Sequence, residues 1–172
     1  MAARTDVFDL GRLQLSSGMG RRVDLQVQLD AFEFGGQRYA AQASLTPAVL
    51  DVSRTVGGYA LRLRFESTLD GPCVRCLGPA GVTIAVDERQ IDQRGEDDED
   101  LSSEYLEGDE LDVHAWARDA LALSLPTQIV CREDCLGLCP VCGADLNSAE
   151  PGHAHEEAPD PRWAKLSELR FD

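Results

Sequence analysis

Alternation of apolar and polar residues predicts short β-strands through the first half of the chain. Residues 23–29 alternate strictly between the two classes, which is typical of a strand that buries one face. A weaker signal covers residues 7–10, and a further strand is expected over 82–91, after the first pair of cysteines. Glycines separate the early segments, and they predict turns between the strands.

The clearest supersecondary signal is a β-hairpin. Segments 49–56 and 59–66 flank Gly57-Gly58, a pair suited to the positive φ angles of a two-residue primed turn. The apolar residues of the second segment occupy alternate positions and therefore share one face. Arg62 and Arg64 are expected on the opposite, polar face of that strand.

The period changes to that of a helix at residues 112–124. Apolar residues recur there three and four positions apart, which predicts an amphipathic helix that Asp112 caps and Pro126 ends. A second, short helix is expected over 161–169. Between the two helices, residues 131–155 are rich in Cys, Gly, Pro and His and show no period.

These patterns predict an α+β protein. Residues 1–126 are expected to form a β-rich sheet or barrel-like domain, which carries an acidic loop at 95–110 and the amphipathic helix at 112–124. Residues 127–172 are expected to form a Cys/His-rich lobe that ends in the short C-terminal helix. The chain of 172 residues is long enough for one domain with a small appendage.

Charge restricts the partners that the chain can have. It carries 16 Lys and Arg residues against 31 Asp and Glu residues, for a formal net charge of −15. Nucleic-acid phosphates and anionic membranes repel such a molecule unless positive groups cluster locally, so basic proteins are the expected partners. Thirteen carboxylates fall between Asp87 and Asp112. This acidic stretch either keeps the protein soluble or attracts a cationic partner.

The sequence predicts neither membrane insertion nor export. No apolar run approaches the ~20 residues that cross a bilayer. The first thirteen residues hold four charged side chains where a secretory signal needs a continuous apolar stretch. We therefore expect a cytoplasmic protein with no membrane partner.

Six cysteines carry the candidate chemistry. They fall into three close pairs, namely Cys73-x2-Cys76, Cys131-x3-Cys135 and Cys139-x2-Cys142. Because the cytosol keeps thiols reduced, this spacing favours metal ligation over disulfides. A tetrahedral zinc ion takes four ligands, and His153-x-His155 brings the cysteines to eight ligands, or two sites of four. We expect one or two structural Zn²⁺ ions.

Two pairings of these ligands are open. Cys76 and Cys135 are each followed by Leu-Gly, which favours an all-cysteine site built by the first two pairs and a mixed site built by the third pair with the histidines. The alternative joins the second and third pairs on one ion and leaves Cys73 and Cys76 with the histidines or without metal. Iron also suits Cys-x2-Cys turns, although the histidines favour zinc.

Enzyme chemistry is the less favoured use of these residues. No thioredoxin-like βαβ pattern surrounds either Cys-x2-Cys pair, and a site with four protein ligands leaves no open coordination position. The sequence also has no nucleophile elbow, phosphate loop or His-Glu-x-x-His helix. We therefore expect a protein that is not an enzyme.

Four segments form a recognisable signature. They are Cys73-Val-Arg-Cys76-Leu, Leu123-Ser-Leu-Pro126, residues 131–147 and residues 160–166. In these segments the sequence resembles the YceD family, bacterial proteins named for the accumulation of large-subunit ribosomal RNA. Where many relatives have a Cys-x-Cys pair, this chain has His153-x-His155. The resemblance implies a β-rich fold and a non-enzymatic role in ribosome biogenesis, supporting the synthesis, processing or accumulation of that RNA.

Charge and resemblance together predict an acidic, zinc-stabilised adaptor. Its partner would be a basic ribosomal protein or assembly factor held near nascent rRNA, and contact with the rRNA would be indirect. The alternative is a direct RNA-binding zinc module, for which Arg62, Arg64 and Arg75 would have to form one positive face. The sequence leaves open the identity of the partner and the oligomeric state.

Overall fold

Nine β-strands and one α-helix form the part of the chain that the structure describes. The structure is a computed structural model, and it describes residues 5–93 and 101–155. The strands and the helix are β1 (Val7–Asp9), β2 (Gly20–Val27), β3 (Phe32–Phe34), β4 (Gln37–Ala41), β5 (Thr46–Arg54), β6 (Gly58–Pro72), β7 (Pro79–Gln93), β8 (Leu106–Glu107), β9 (Glu110–Asp112) and α1 (Val113–Leu123). A 3₁₀ turn at Leu10–Leu13 follows β1.

Strand β6 organises the larger sheet. It pairs with β7 along its whole length, while β5 and then β4 pair with its other edge, and every pairing is antiparallel. Strands β2 and β3 complete the six-stranded sheet, and β1, β9 and β8 form a second, three-stranded one. The predicted sheet is confirmed, but the barrel-like alternative is wrong: among the described residues, β2 and β7 each pair on one edge only, so the sheet stays open.

The β5–β6 hairpin forms, but its turn differs from the expected one. Arg54 pairs with Tyr59, and the N–H of Thr55 donates to the carbonyl of Gly58 at 3.0 Å, so the chain reverses at Val56-Gly57, one residue before the expected pair. Positive φ angles occur at other described glycines and not at Gly57 or Gly58. Gly58 is instead required for space, because a Cβ there would overlap the carbonyl oxygen of Asp92 on β7.

The hydrophobic core lies between the larger sheet and α1. The inward-facing side chains of β6 are buried as predicted from their alternation, with Leu63 fully covered. Helix α1 begins where predicted, since Asp112 accepts a hydrogen bond from the backbone N–H of Ala115 at 2.8 Å. It buries an apolar stripe that includes Trp116 and Leu121.

Some predicted segments fall outside the described residues. These are the C-terminal helix at 161–169 and positions 95–100 of the acidic loop. The described remainder of that loop contains β8 and the start of β9, a short hairpin that pairs with β1. Within 5–93 and 101–155, no helix is long and apolar enough to cross a membrane. The division of the chain at residue 126 stays a prediction.

Candidate metal centres

Four cysteines converge at the loop that joins β6 to β7, namely Cys73, Cys76, Cys131 and Cys135. We call them the all-cysteine group. Their sulfurs lie within 4.8 Å of one another. The Sγ atoms of Cys73 and Cys135 are 3.8 Å apart, and those of Cys76 and Cys131 are 3.7 Å apart. Four thiolates bound to zinc at about 2.3 Å have sulfur–sulfur distances of about 3.8 Å in a tetrahedron. The group therefore has the size of a four-coordinate metal site.

The remaining ligands form a second cluster, the mixed group: Cys139, Cys142, His153 and His155. Their ligand atoms also lie within 4.8 Å of one another. The Nε2 atoms of the two imidazoles are 3.1 Å apart, and they lie 3.5 and 3.3 Å from the sulfur of Cys142. Tetrahedral zinc predicts about 3.5 Å for sulfur to nitrogen and about 3.3 Å between nitrogens. Of the two pairings that the sequence left open, the structure brings together the all-cysteine and mixed sets.

The two Cys-x2-Cys turns share one backbone geometry. In each, the N–H of the first cysteine donates to the carbonyl five residues on, and its carbonyl accepts from the N–H four residues on. The residue after the second cysteine has a positive φ in both, 59° at Leu77 and 74° at Gly143. This turn aims both sulfurs of a pair at one point. Leu77 occupies a conformation that L residues rarely adopt, which sequence inspection did not reveal.

Hydrogen bonding and burial act on the thiols of the all-cysteine group in opposite directions. Burial raises the pKa of Cys73, but backbone N–H groups at Cys76, Cys131 and Arg75 outweigh burial and lower that pKa to about 6. For Cys131, burial and the neighbouring thiols raise the pKa to about 12. Four sulfurs this close cannot all carry negative charge unless a cation compensates them.

In the mixed group the surrounding backbone favours the ionised form of one thiol. Backbone N–H groups of Cys142 and Val141 lower the pKa of Cys139 to about 6. Cys139 is buried, whereas the other three ligands of the group are exposed. The two groups together could hold two metal ions, and the all-cysteine group has two buried ligands where the mixed group has one.

The three arginines suggested for RNA contact donate hydrogen bonds to other groups of the same protein. The Arg62 guanidinium donates to Asp87 from two nitrogens, one at 2.6 Å, and it holds the pKa of that carboxyl below its usual value. Arg64 donates to Asp51 at 2.7 Å. Arg75 lies in the first cysteine turn and donates to the carbonyl of Cys135 at 3.1 Å. The positive charges of Arg62 and Arg64 are therefore each paired with a carboxylate of the same molecule.

Asp51 also accepts from Arg22, so two arginines share one carboxylate. The hydrogen bond from Arg22 is the main cause that lowers the pKa of Asp51. Arg22 lies directly opposite Asp51, whereas Arg64 reaches Asp51 and Arg62 reaches Asp87 diagonally, one pair further along the polar face of the sheet. Cross-strand pairs of this kind depend on strand register, which the sequence pattern does not specify residue by residue.

Comparisons with known proteins place these features in a family. A family model described as large ribosomal RNA subunit accumulation protein YceD matches residues 61–170. An uncharacterized protein of Mycobacterium tuberculosis is 41% identical over 104 residues, which cover 58% of this chain and 49% of that protein. One from Mycobacterium leprae is 35% identical over 103 residues, which cover 56% of this chain and 46% of the relative.

The matched region spans about half the length of these curated relatives. No solved structure matches the chain. The family match begins in β6 and runs through all eight candidate metal ligands of the all-cysteine and mixed groups. The chain therefore belongs to the YceD family of large ribosomal RNA subunit accumulation proteins.

Proposed function

We propose that the protein is a non-enzymatic ribosome-biogenesis factor that holds a basic ribosomal protein or assembly factor and so supports the accumulation of large-subunit rRNA. Family membership supports the role in ribosome biogenesis. The net charge of −15 supports a basic protein as the partner. The observation that carries the choice of a protein over RNA is the pairing of two of the candidate RNA-binding arginines, Arg62 and Arg64, with carboxylates of the same molecule.

That pairing makes direct phosphate binding costly. A phosphate that approached Arg62 or Arg64 would have to displace Asp87 or Asp51 from charge-assisted hydrogen bonds. The displaced carboxylate would then lie beside the phosphate, with which it shares its sign. Because the whole molecule is strongly acidic, nothing at long range offsets that repulsion.

Structural zinc at both groups is part of the proposal. Four thiolates, or two thiolates with two imidazoles, are typical donor sets for structural zinc. With four protein ligands, each ion would have no coordination position free for a substrate, which supports a binding role rather than catalysis. The ions would hold residues 131–155 in one shape, so that this lobe could serve as a rigid docking surface.

Affinity capture from a cell extract treated with ribonuclease tests the choice of partner. We expect the full chain, captured at moderate salt, to retain basic ribosomal proteins or assembly factors after the RNA is digested. Recovery of those proteins only while RNA is intact would contradict the adaptor and favour the RNA-binding alternative.

A matched pair of charge variants tests the acidic stretch. Changing residues 96–100 to the corresponding amides moves the net charge from −15 to −10, and we expect weaker capture and a smaller loss of capture on raising the salt concentration. The control removes five exposed charges elsewhere, at Asp24, Glu33, Glu66, Glu133 and Glu150. Equal capture by both variants would mean that the position of the acidic stretch does not matter.

A further inference from the structure

The two metal groups are joined by a very short connection. Cys135 of the all-cysteine group and Cys139 of the mixed group are separated by residues 136–138 alone. The segment 145–147 lies alongside this connection: Leu138 forms a bridge with Asp145, and the N–H of Leu146 donates to the carbonyl of Gly137 at 2.9 Å. The chain that leaves the mixed group after Cys142 therefore returns to the all-cysteine group.

Asn147 makes the contact at that point. Its amide nitrogen donates to the sulfur of Cys135 at 3.5 Å and to the Asp145 carboxylate at 2.6 Å. Its amide oxygen accepts from the N–H of Leu136 at 2.9 Å and from Arg132 at 2.7 Å. Both N–H groups and both lone pairs of the side chain are thus used. Asn147 is the only asparagine in the chain.

We propose that Asn147 is a positioning residue that couples metal binding at the two groups. An ion in the mixed group holds together Cys142 and His153, which lie on either side of Asn147 in the chain, and so fixes the turn that carries it. The fixed amide then donates to the thiolate of Cys135 and disperses part of the charge of the all-cysteine group. By linkage, an ion in the all-cysteine group favours binding at the mixed group by the same factor. This inference rests on the proposed metal binding and is independent of the partner.

The chemistry at Cys135 sets the size of the expected effect. Four thiolates on one divalent ion leave a net charge of −2. Each hydrogen bond donated to a thiolate therefore stabilises the metal-bound site. Removal of groups that hydrogen-bond to metal ligands weakens metal affinity by about 10–100-fold. Asn147→Asp keeps the shape of the side chain, but it replaces the donor with a carboxylate oxygen that faces both a thiolate and Asp145.

Cobalt and zinc titrations of the full chain test the proposal. Cobalt distinguishes a four-sulfur site from a two-sulfur, two-nitrogen site by its absorption spectrum, and a chromophoric chelator in competition reports the zinc affinity of each. We expect Asn147→Ala to weaken the all-cysteine group by about tenfold or more, and Asn147→Asp to weaken it further. Ser148→Ala is the matched control, because Ser148 lies in the same turn and, among the described residues, its hydroxyl donates to the Asp145 carbonyl and not to a metal-group residue.

A double-mutant cycle separates coupling from a merely local effect. The double variant His153→Ala/His155→Ala should weaken the all-cysteine group when Asn147 is present and should have no further effect in the Asn147→Ala background. Equal affinities of the all-cysteine group in wild type and Asn147→Ala, or a histidine effect that persists without Asn147, would overturn the proposal. A wild-type chain that binds no metal would instead overturn the proposed zinc sites themselves. Far-UV circular dichroism of each variant checks that the sheet is formed.

Discussion

Gly58 shows how a single residue sets the approach of two strands. It begins β6 opposite Gln93, and its backbone is packed against the carbonyl of Asp92. The residue is buried, and Asp92 itself is only 2% exposed. A side chain at position 58 would therefore have to push β6 and β7 apart at this end of their pairing.

We expect Gly58→Ala to destabilise the fold by about 1–3 kcal/mol, the usual cost of overpacking a closely packed site. The reason is steric, since the added methyl group meets backbone that cannot rotate away. Urea unfolding with saturating zinc, followed by circular dichroism, measures the change in the free energy of unfolding. The control is Val56→Ala, because Val56 lies in the turn before β6 and is 95% exposed. This change should alter the free energy of unfolding by no more than about 0.5 kcal/mol. Equal stability of wild type and Gly58→Ala would contradict the close approach.

The residues of the two metal groups could be predicted from the sequence, but the hydrogen-bond partners of individual side chains could not. Spacing alone singled out the six cysteines, because two thiols on a tight turn point the same way, and a count of four ligands per ion added the two histidines. The partners of Arg62 and Asn147 depend on contacts between residues that are 25 and 12 positions apart in the chain. Such contacts follow from strand register and loop packing, which hydrophobic periodicity does not encode.

At the scale of elements, the hydrophobic core leaves out the Cys/His-rich segment 131–155. Among the described residues, the core cluster ends at Leu121, and the last residue packed against it is Leu125. Residues 131–155 contribute turns, one isolated bridge and six of the eight metal-group residues to the described structure. If the proposed ions are bound, ligation rather than burial of apolar surface would supply most of the order of this segment.

A strong chelator should accordingly unfold this lobe and leave the sheet in place. Arg132 is exposed and hydrogen-bonded to Asn147, so trypsin should cut after it much faster in metal-free protein than in zinc-loaded protein. Arg62 and Arg64 lie in the middle of β6 and serve as internal controls, because bonds after them should stay protected in both samples. Mass spectrometry of timed digests measures the rates. Equal cleavage after Arg132 with and without metal would contradict a metal-dependent lobe.

Long elements were predictable and very short ones were not. The sequence pattern located α1 to within one residue at each end, since eleven helical residues with one apolar stripe give a clear period. Strand β7 runs from Pro79 to Gln93, beyond the predicted 82–91, because its pairing with β6 extends it past the alternating residues. The β8–β9 hairpin has strands of two and three residues, too short to show any period.

At the scale of the whole molecule, charge and metal content are connected. The two donor sets respond differently to zinc: the mixed group with its ion is neutral overall, while four thiolates around one ion retain a charge of −2. Loading both groups therefore makes an already acidic protein more acidic, by about two charges relative to the chain with neutral thiols. The added negative charge agrees with the proposal of a positively charged protein partner.

Elemental analysis of the full chain, purified without added metal, should find two zinc ions per molecule. Cys139→Ser/Cys142→Ser removes two ligands of the mixed group, so this variant should retain one ion, and its cobalt form should show a four-sulfur spectrum. The alternative pairing, in which Cys131, Cys135, Cys139 and Cys142 share one ion, predicts that the same variant loses every four-sulfur site. Val141→Ala, an exposed change between the two cysteines, is the control and should keep both ions. Iron in place of zinc, or thiols that titrate freely with no metal released, would contradict the proposed zinc sites.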